Sequence, residues 1–345
     1  MSLTPSRKHS IATLSGLLLL SAAAPAFAQP APSFSDLPSG HAAFEAVEYL
    51  KTQGVISGYA DGTFKPNAKV NRAEAVKILI APLVNAQQLG QLAHTPYEDV
   101  AADAWYRPYV EAARQSFGII DGPPQTTVFH GERPVLKVEF IKMLLLANKA
   151  DVGAYGEIKL PLSVDVTNTE EWFYPYIRYA VSSSITMISA DGTLSPGREL
   201  TRSDVALFLH RFLMYREGRR TQALLSEAET EIHNILDSLE KNDITQAEQA
   251  SARALIAARG AHASKPTEAV TQGAVKTTEA FRALVRAYRA GVSGDLDTVI
   301  ALASEAWNLA AKAKELDPTL ASISDQVQQT AKNMADSARA LKAAP

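Results

Sequence analysis

The segment Gly54-Val-Ile-Ser-Gly-Tyr-Ala-Asp61-Gly62-Thr63-Phe64-Lys-Pro66, with Val70-Asn71-Arg72-Ala73-Glu74 close behind it, decides how this chain reads. Gly54 stands where a helix ends, because glycine accepts the left-handed backbone that other residues resist. Asp61-Gly62 makes a tight turn. Phe64 is a plug for the core, and Pro66 keeps its extended segment from running on into helix. Asn71 then caps a new helix, with Glu74 three residues on in the capping-box position. Upstream, Phe44, Val47 and Leu50 recur at three- and four-residue spacing, which predicts a helix over 44–53. The unit is helix, turn, helix. The inner face of its second helix, Ala75, Ile78 and Leu79, is expected to pack on the first.

The unit recurs. A second copy opens on Tyr97-Glu-Asp99-Val100 and Trp105-Tyr-Arg-Pro-Tyr109-Val110, passes Phe117-Gly118-Ile-Ile-Asp121-Gly122 and Phe129, and ends on Val135-Leu136-Lys137-Val138-Glu139. A third runs from Val164-Asp165-Val166 and Trp172-Phe-Tyr-Pro-Tyr176-Ile177 through Asp191-Gly192-Thr193-Leu194-Ser-Pro196 to Leu200-Thr201-Arg202-Ser203-Asp204. The basic residues Arg72, Lys137 and Arg202 lie 65 positions apart in both intervals. A fixed period of this kind marks a repeat architecture. Thr201 and Asp204 repeat the capping box, whereas Leu136 offers no side-chain cap. Asp36, Asp99 and Asp165 are expected to cap or brace the first helix of each unit.

These motifs resemble the S-layer homology (SLH) family over about residues 33–215. The resemblance rests on the Asp-Val/Leu opening, Trp-x-x-x-Tyr-Val/Ile, Gly-Tyr-x-Asp-Gly-Thr-Phe-x-Pro and Thr-Arg-Ala-Glu. No copy is complete. The first has Ala42 where the family usually has tryptophan, the second has Leu136-Lys137-Val138-Glu139 and an altered turn at Asp121-Gly-Pro-Pro-Gln, and the third has Ser184 and Ile188 in place of glycines. The resemblance implies a mainly α fold of three helix-turn-helix repeats, at 29–83, 96–147 and 162–215, forming a pseudo-threefold unit. It also implies grooves between repeats for secondary cell-wall polysaccharide, in some members pyruvylated, or another peptidoglycan-linked glycan.

Arg72, Lys137, Arg202, Trp105 and Trp172 are the candidate polysaccharide-binding residues. Arg72 and Arg202 each follow a helix cap, so guanidinium and positive helix end would face one anion. Arginine grips a carboxylate with two parallel hydrogen bonds, where Lys137 supplies a point charge. Trp105 and Trp172 would offer flat apolar faces to sugar rings. Each has an alternative reading, the tryptophans as core anchors and the arginines as solvated residues at a helix start. Asp61 and Asp191 belong to turns rather than to a calcium loop, since alternating oxygen ligands are missing.

Before the repeats, Arg7 and Lys8 precede an apolar stretch from Ile11 to Ala24, and Ala26-Phe27-Ala28 closes a signal peptide over 1–28. Its removal takes the net charge from -3 to -5, which suits neither nucleic acid nor an anionic membrane. The mature chain has no further run able to span a bilayer. With no cysteine there is neither a disulfide nor a thiol nucleophile. The expected location is secreted, at the cell envelope, cell wall or S-layer.

From about Glu217 the composition turns alanine-rich. Apolar seams such as Leu225-Ala228-Ile232-Ile235-Leu239, Val270-Ala274-Thr277-Phe281-Leu284-Tyr288 and Val299-Leu302-Ala306-Leu309-Ala313-Leu316 follow a 3-4 spacing, as do residues from Leu320 to Leu341. Breaks at Asn242-Asp243, Lys265-Pro266, Gly291–Gly294 and Asp317-Pro318 predict four or five helices in an antiparallel bundle over 217–345. His233 and His262 stand alone, and no catalytic motif, metal set or cofactor signature is present. The function expected is non-covalent, non-enzymatic anchoring to wall glycan. The bundle would then serve as spacer, self-assembly surface or protein-partner module. The alternative is a wall-targeted hydrolase or enzyme accessory with an unrecognised helical catalytic domain.

Overall fold

A computed structural model describes residues 32–94, 97–121, 126–153 and 155–343. The expected signal peptide at 1–28 and the altered turn at 122–125 lie outside them. Among the described residues the regular structure is helical, with isolated β-bridges in place of strands. The N-terminal half holds α1 (Phe44–Thr52), α2 (Arg72–Ile80), α3 (Ala86–Gly90), α4 (Arg107–Gln115), α5 (Lys137–Ala147), α6 (Tyr174–Ser182) and α7 (Arg202–Arg216).

Its organising feature is a closed ring of three hydrogen bonds. The Val70 N–H donates to Leu200 O at 3.0 Å, the Leu200 N–H to Val135 O at 3.0 Å, and the Val135 N–H to Val70 O at 2.9 Å. All three side chains are buried. Each segment then turns into the second helix of its repeat, and that helix's first amides donate across to another repeat. The Arg72 and Ala73 amides reach Arg133 O and Gly131 O, those of Lys137 and Val138 reach Arg198 O and Pro196 O, and those of Arg202 and Ser203 reach Ala68 O and Pro66 O. A helix start leaves such donors without intrahelical partners, so the neighbouring repeat completes each one. The capping boxes at Asn71–Glu74 and Thr201–Asp204 are formed. At Leu136 only half is possible, the Glu139 carboxylate accepting the Leu136 N–H at 3.1 Å.

The helix packing differs from the expectation. The second helix of a unit packs not on its own first helix but on that of another repeat: α2 on α4, α5 on α6, and α7 on α1. The connector between the two helices explains this. Its plug residue fills the space beside the first helix, with the Phe64 ring 5.5 Å from Phe34 and the Phe129 ring 5.9 Å from Tyr97. Asp36, Asp99 and Asp165 hold that connector rather than capping the first helix. Asp36 accepts the Phe64 and Lys65 amides at 2.7 and 2.8 Å, and Asp99 those of Phe129 and His130, both at 2.7 Å. Asp165 accepts those of Leu194 and Ser195 at 2.8 and 2.7 Å. Lys65, His130 and Ser195 all carry positive φ. Paired charge-assisted bonds offset the strain of that conformation in a non-glycine residue.

The C-terminal half contains α8 (Thr221–Glu240), α9 (Ile244–Ser264), α10 (Ala269–Val292), α11 (Leu296–Leu316) and α12 (Ala321–Ala343). The breaks fall where the sequence placed them. Asp243 and Asp295 cap α9 and α11 through the Gln246 and Thr298 amides. Each helix packs on the next, and α10 touches α8 and α12 as well. The core is alanine from α9 and α11 around Ile235, Phe281, Leu284 and Val285. Val270 and Leu341, expected on the seams, are exposed in terminal turns.

The two halves share packing. Ala252, Leu255 and Ile256 of α9 belong to the core of the repeats, and α9 lies against α6. Arg259 pairs with Glu157, and Arg220, just ahead of α8, donates to the Ser184 hydroxyl at 2.7 Å. The backbones approach closely at Gly260, where an added Cβ would stand 1.7 Å from the Ser182 carbonyl oxygen. Backbone cannot yield that far without moving a helix. Gly260→Ala is expected to lower stability by about 1–3 kcal/mol, as overpacking does. Thermal denaturation checks this, and limited proteolysis should show faster cleavage around Gly218 as α9 is pushed from α6.

Candidate functional site

The five sequence-predicted residues separate into two kinds. Arg72, Lys137 and Arg202 are ties between repeats. Arg72 Nε donates to Phe129 O at 3.1 Å, and Arg202 Nε to Phe64 O at 2.7 Å. Lys137 Nζ donates to Leu194 O. Each cation thus grips the plug carbonyl of another repeat, the first reaching the second, the second the third, and the third the first. The guanidinium groups also lie over the plug rings, Arg72 at 5.2 Å from the Phe129 centroid and Arg202 at 4.6 Å from Phe64. The helix ends themselves are occupied by the cross-repeat carbonyls described above, so the picture of helix end and guanidinium facing one anion does not hold.

Lys137 is the extreme case, with a relative exposure of 5% and no carboxylate partner among the described residues. Burial pulls its ammonium down to about 8, Arg198 adds to the effect, and Asp165 and Asp204 oppose it. Arg72 keeps more access, and Arg202 NH2 takes the Ser57 carbonyl at 2.9 Å. Burial pushes the Glu139 carboxyl up, yet the Arg133 hydrogen bonds and the Leu136 amide outweigh it and hold it low. Glu139 also stands 3.7 Å from Arg72.

The tryptophans are surface residues, not core anchors. Trp105 is 54% exposed and Trp172 53%. Each meets a lysine from the second helix of the preceding repeat. Lys77 Nζ lies 5.6 Å from the Trp105 ring centroid and Lys142 Nζ 5.5 Å from that of Trp172. A groove of about 150 Å³ brings Trp172 and Lys142 together with Arg72, Ile120, Asp121 and Glu139. Lys77 and Lys142 were missed from the sequence, although the signal was there, because they too are 65 positions apart. The corresponding position in the third unit is Leu207, and Ala42 stands where the first unit would carry its tryptophan.

The turn aspartates do turn chemistry. Asp61 accepts the Thr63 amide and hydroxyl, and Asp191 does the same for Thr193. Among the described residues no group of three His, Asp or Glu is placed to hold a metal ion, and no helix is long and apolar enough to cross a membrane.

Residues 33–76 and 164–206 match the S-layer homology domain. The first and third units are thus the segments similar to that domain. The chain is 32% identical over 209 residues, 59% of its length, to the surface-layer 125 kDa protein of Lysinibacillus sphaericus, covering 17% of that protein. It is 26% identical over 181 residues, 51% of its length, to S-layer protein EA1 of Bacillus anthracis, covering 20% of it. Cell surface glycoprotein 1 of Acetivibrio thermocellus is 34% identical over 188 residues, 53% of this chain and 8% of that one. The chain thus spans a fifth or less of these relatives. The matches point to a secreted protein at the cell envelope or S-layer.

The Lys137 tie has a pH signature. Its amine titrates near 8 when folded against a reference of 10.5, so between these values the unfolded chain binds more protons. Stability should rise with pH across that window, the gain being complete above about 10.5 and absent below about 8, on the order of 3 kcal/mol. Thermal melts of wild type and Lys137→Met between pH 7.5 and 10 check this. The difference in Tm between the two proteins should shift toward wild type as pH rises.

Proposed function

We propose that residues 33–216 bind an acidic cell-wall polysaccharide non-covalently and without catalysis, through two inter-repeat grooves. On this reading residues 96–147 are a third S-layer homology unit, and the three units close a pseudo-threefold whorl. The five helices over 221–343 are a separate-purpose module for spacing, assembly or a partner.

The observation that carries the reading is the pair of exposed indoles, each facing a lysine that no carboxylate neutralises among the described residues. An indole face covers the apolar side of a sugar ring. The lysine beside it attracts a carboxylate such as a pyruvyl ketal. Asp121 and Glu139 supply acceptors for sugar hydroxyls in the groove with Trp172. Arg72 and Arg202 contribute through the guanidinium nitrogens their tie leaves over, and Lys137 acts as a tie alone. The third position, with Lys137 buried and Leu207 and Ala42 in the groove places, binds no glycan.

Co-sedimentation with purified wall sacculi tests this. Trp105→Ala with Trp172→Ala should reduce binding by at least about tenfold, since exposed aromatic anchors are worth about 1–2 kcal/mol each at an interface and two linked sites multiply. Helical circular dichroism and Tm should hold, because both side chains lie outside the core. Walls stripped of acidic substituents should bind wild type as weakly as intact walls bind the variant. A double variant that pellets like wild type would refute the groove assignment.

A further inference from the structure

The C-terminal helices carry a second groove that, like the first, is lined by an indole and basic side chains. It lies between α11 and α12 and measures about 290 Å³, at the small end of ligand clefts, which begin at roughly 300 Å³. Ala303, Ala331 and Ala335 form a buried floor of methyl groups. Ser304, Trp307 and Asn308 stand along one rim at the spacing of one helix face, and Lys332 and Arg339 along the other.

Three observations set what fits there. Trp307 is 41% exposed, although large aromatic surface is costly to leave in water. Its backbone carbonyl is engaged by Gln328 at 3.4 Å, so the helices are braced beneath it. The lining includes two cations and no carboxylate. Arg339 is paired with Asp336 at 3.0 Å outside that lining, whereas Lys332 has no carboxylate partner among the described residues. Asn308 and Ser304 add neutral polar groups. A flat apolar wall, a shallow floor, amide and hydroxyl groups, and a basic rim in which Lys332 has no carboxylate partner among the described residues together describe a site for one ring bearing a carboxylate. The Trp172 groove brings the same three residue types together in Trp172, Lys142 and Arg72.

We infer that the α11–α12 groove binds a carboxylate-bearing saccharide. The C-terminal helices then contact wall glycan themselves, and the chain is held at both ends of its length. The inference extends the proposed function to a different pair of helices, and a test confined to Trp307 separates the two.

The full chain has three tryptophans. Trp105→Phe with Trp172→Phe leaves Trp307 as the only indole. Titrating that variant with an oligogalacturonate should give a saturable change in Trp307 emission, and a neutral cello-oligosaccharide should give at least about tenfold weaker binding. Adding Lys332→Gln and Arg339→Gln should weaken oligogalacturonate binding by about tenfold or more with Tm unchanged. Adding Arg72→Lys and Arg202→Lys should leave the titration as it was, even if wall sedimentation falls. No saturable change, equal binding by the Lys332 and Arg339 variants, or equal affinity for polyglutamate would each overturn the assignment, the last by making the groove a site for acidic peptide.

Discussion

Three backbone hydrogen bonds, Val70 to Leu200, Leu200 to Val135 and Val135 to Val70, are the constraint on which the rest of the N-terminal half depends. A ring of this kind has no edge and no spare member. Removing one segment leaves two buried amide groups without partners, and a buried unpaired amide costs about 1–3 kcal/mol. The geometry of everything outward follows. Each segment leaves the ring along a different direction, so each second helix is delivered against the first helix of another repeat. No repeat covers its second helix with its own first helix, which is the condition that makes repeat proteins cohere only as arrays.

The cations at 72, 137 and 202 make sense against this ring. They sit one residue past each cap and reach sideways to the plug carbonyl of the neighbour. A cation at a helix start is opposed by the macrodipole, a cost that an anionic ligand would offset. The partner is instead a carbonyl dipole and an aromatic face inside the fold. Arginine suits this duty because its Nε can hold the carbonyl while the rest of the plane lies over the ring. Lys137 holds the Leu194 carbonyl and lies 5.9 Å from the Phe208 ring centroid, with its whole charge buried.

The repeat, the turn, the caps and the bundle breaks were legible in residues because each depends on local chemistry. Gly54 and Gly62 carry the positive φ that their places require, and Asn71 caps through its own side chain. What could not be read was anything set by contacts distant in sequence or by which repeat meets which. The aspartates at 36, 99 and 165 precede a helix and look like caps, yet their ligands lie about thirty residues downstream. The exposure of Trp105 and Trp172 was likewise undetermined, since a tryptophan before a helix serves equally well as core or as wall. Lys77 and Lys142 were hidden for another reason. A lone lysine on a helix is ordinary, and only the indole facing it from the next repeat gives it meaning.

Ties and grooves answer to different demands, and the third position shows it. All three units keep the cation, the plug and the aspartate that holds the plug, the groups through which one unit is tied to the next. Only two keep an indole with a lysine opposite, because a groove can be lost without opening the ring. At the third position Leu207 replaces the lysine and Ala42 the tryptophan, while Lys137 still makes its tie at the cost of a buried charge. A chain selected for three equal binding sites would have little use for that combination. A chain selected for a closed scaffold carrying two sites would tolerate it. The same separation extends to the bundle, whose α9 is locked to α6 at Gly260 and so fixes the C-terminal helices to the scaffold, leaving α11 and α12 to present Trp307 outward.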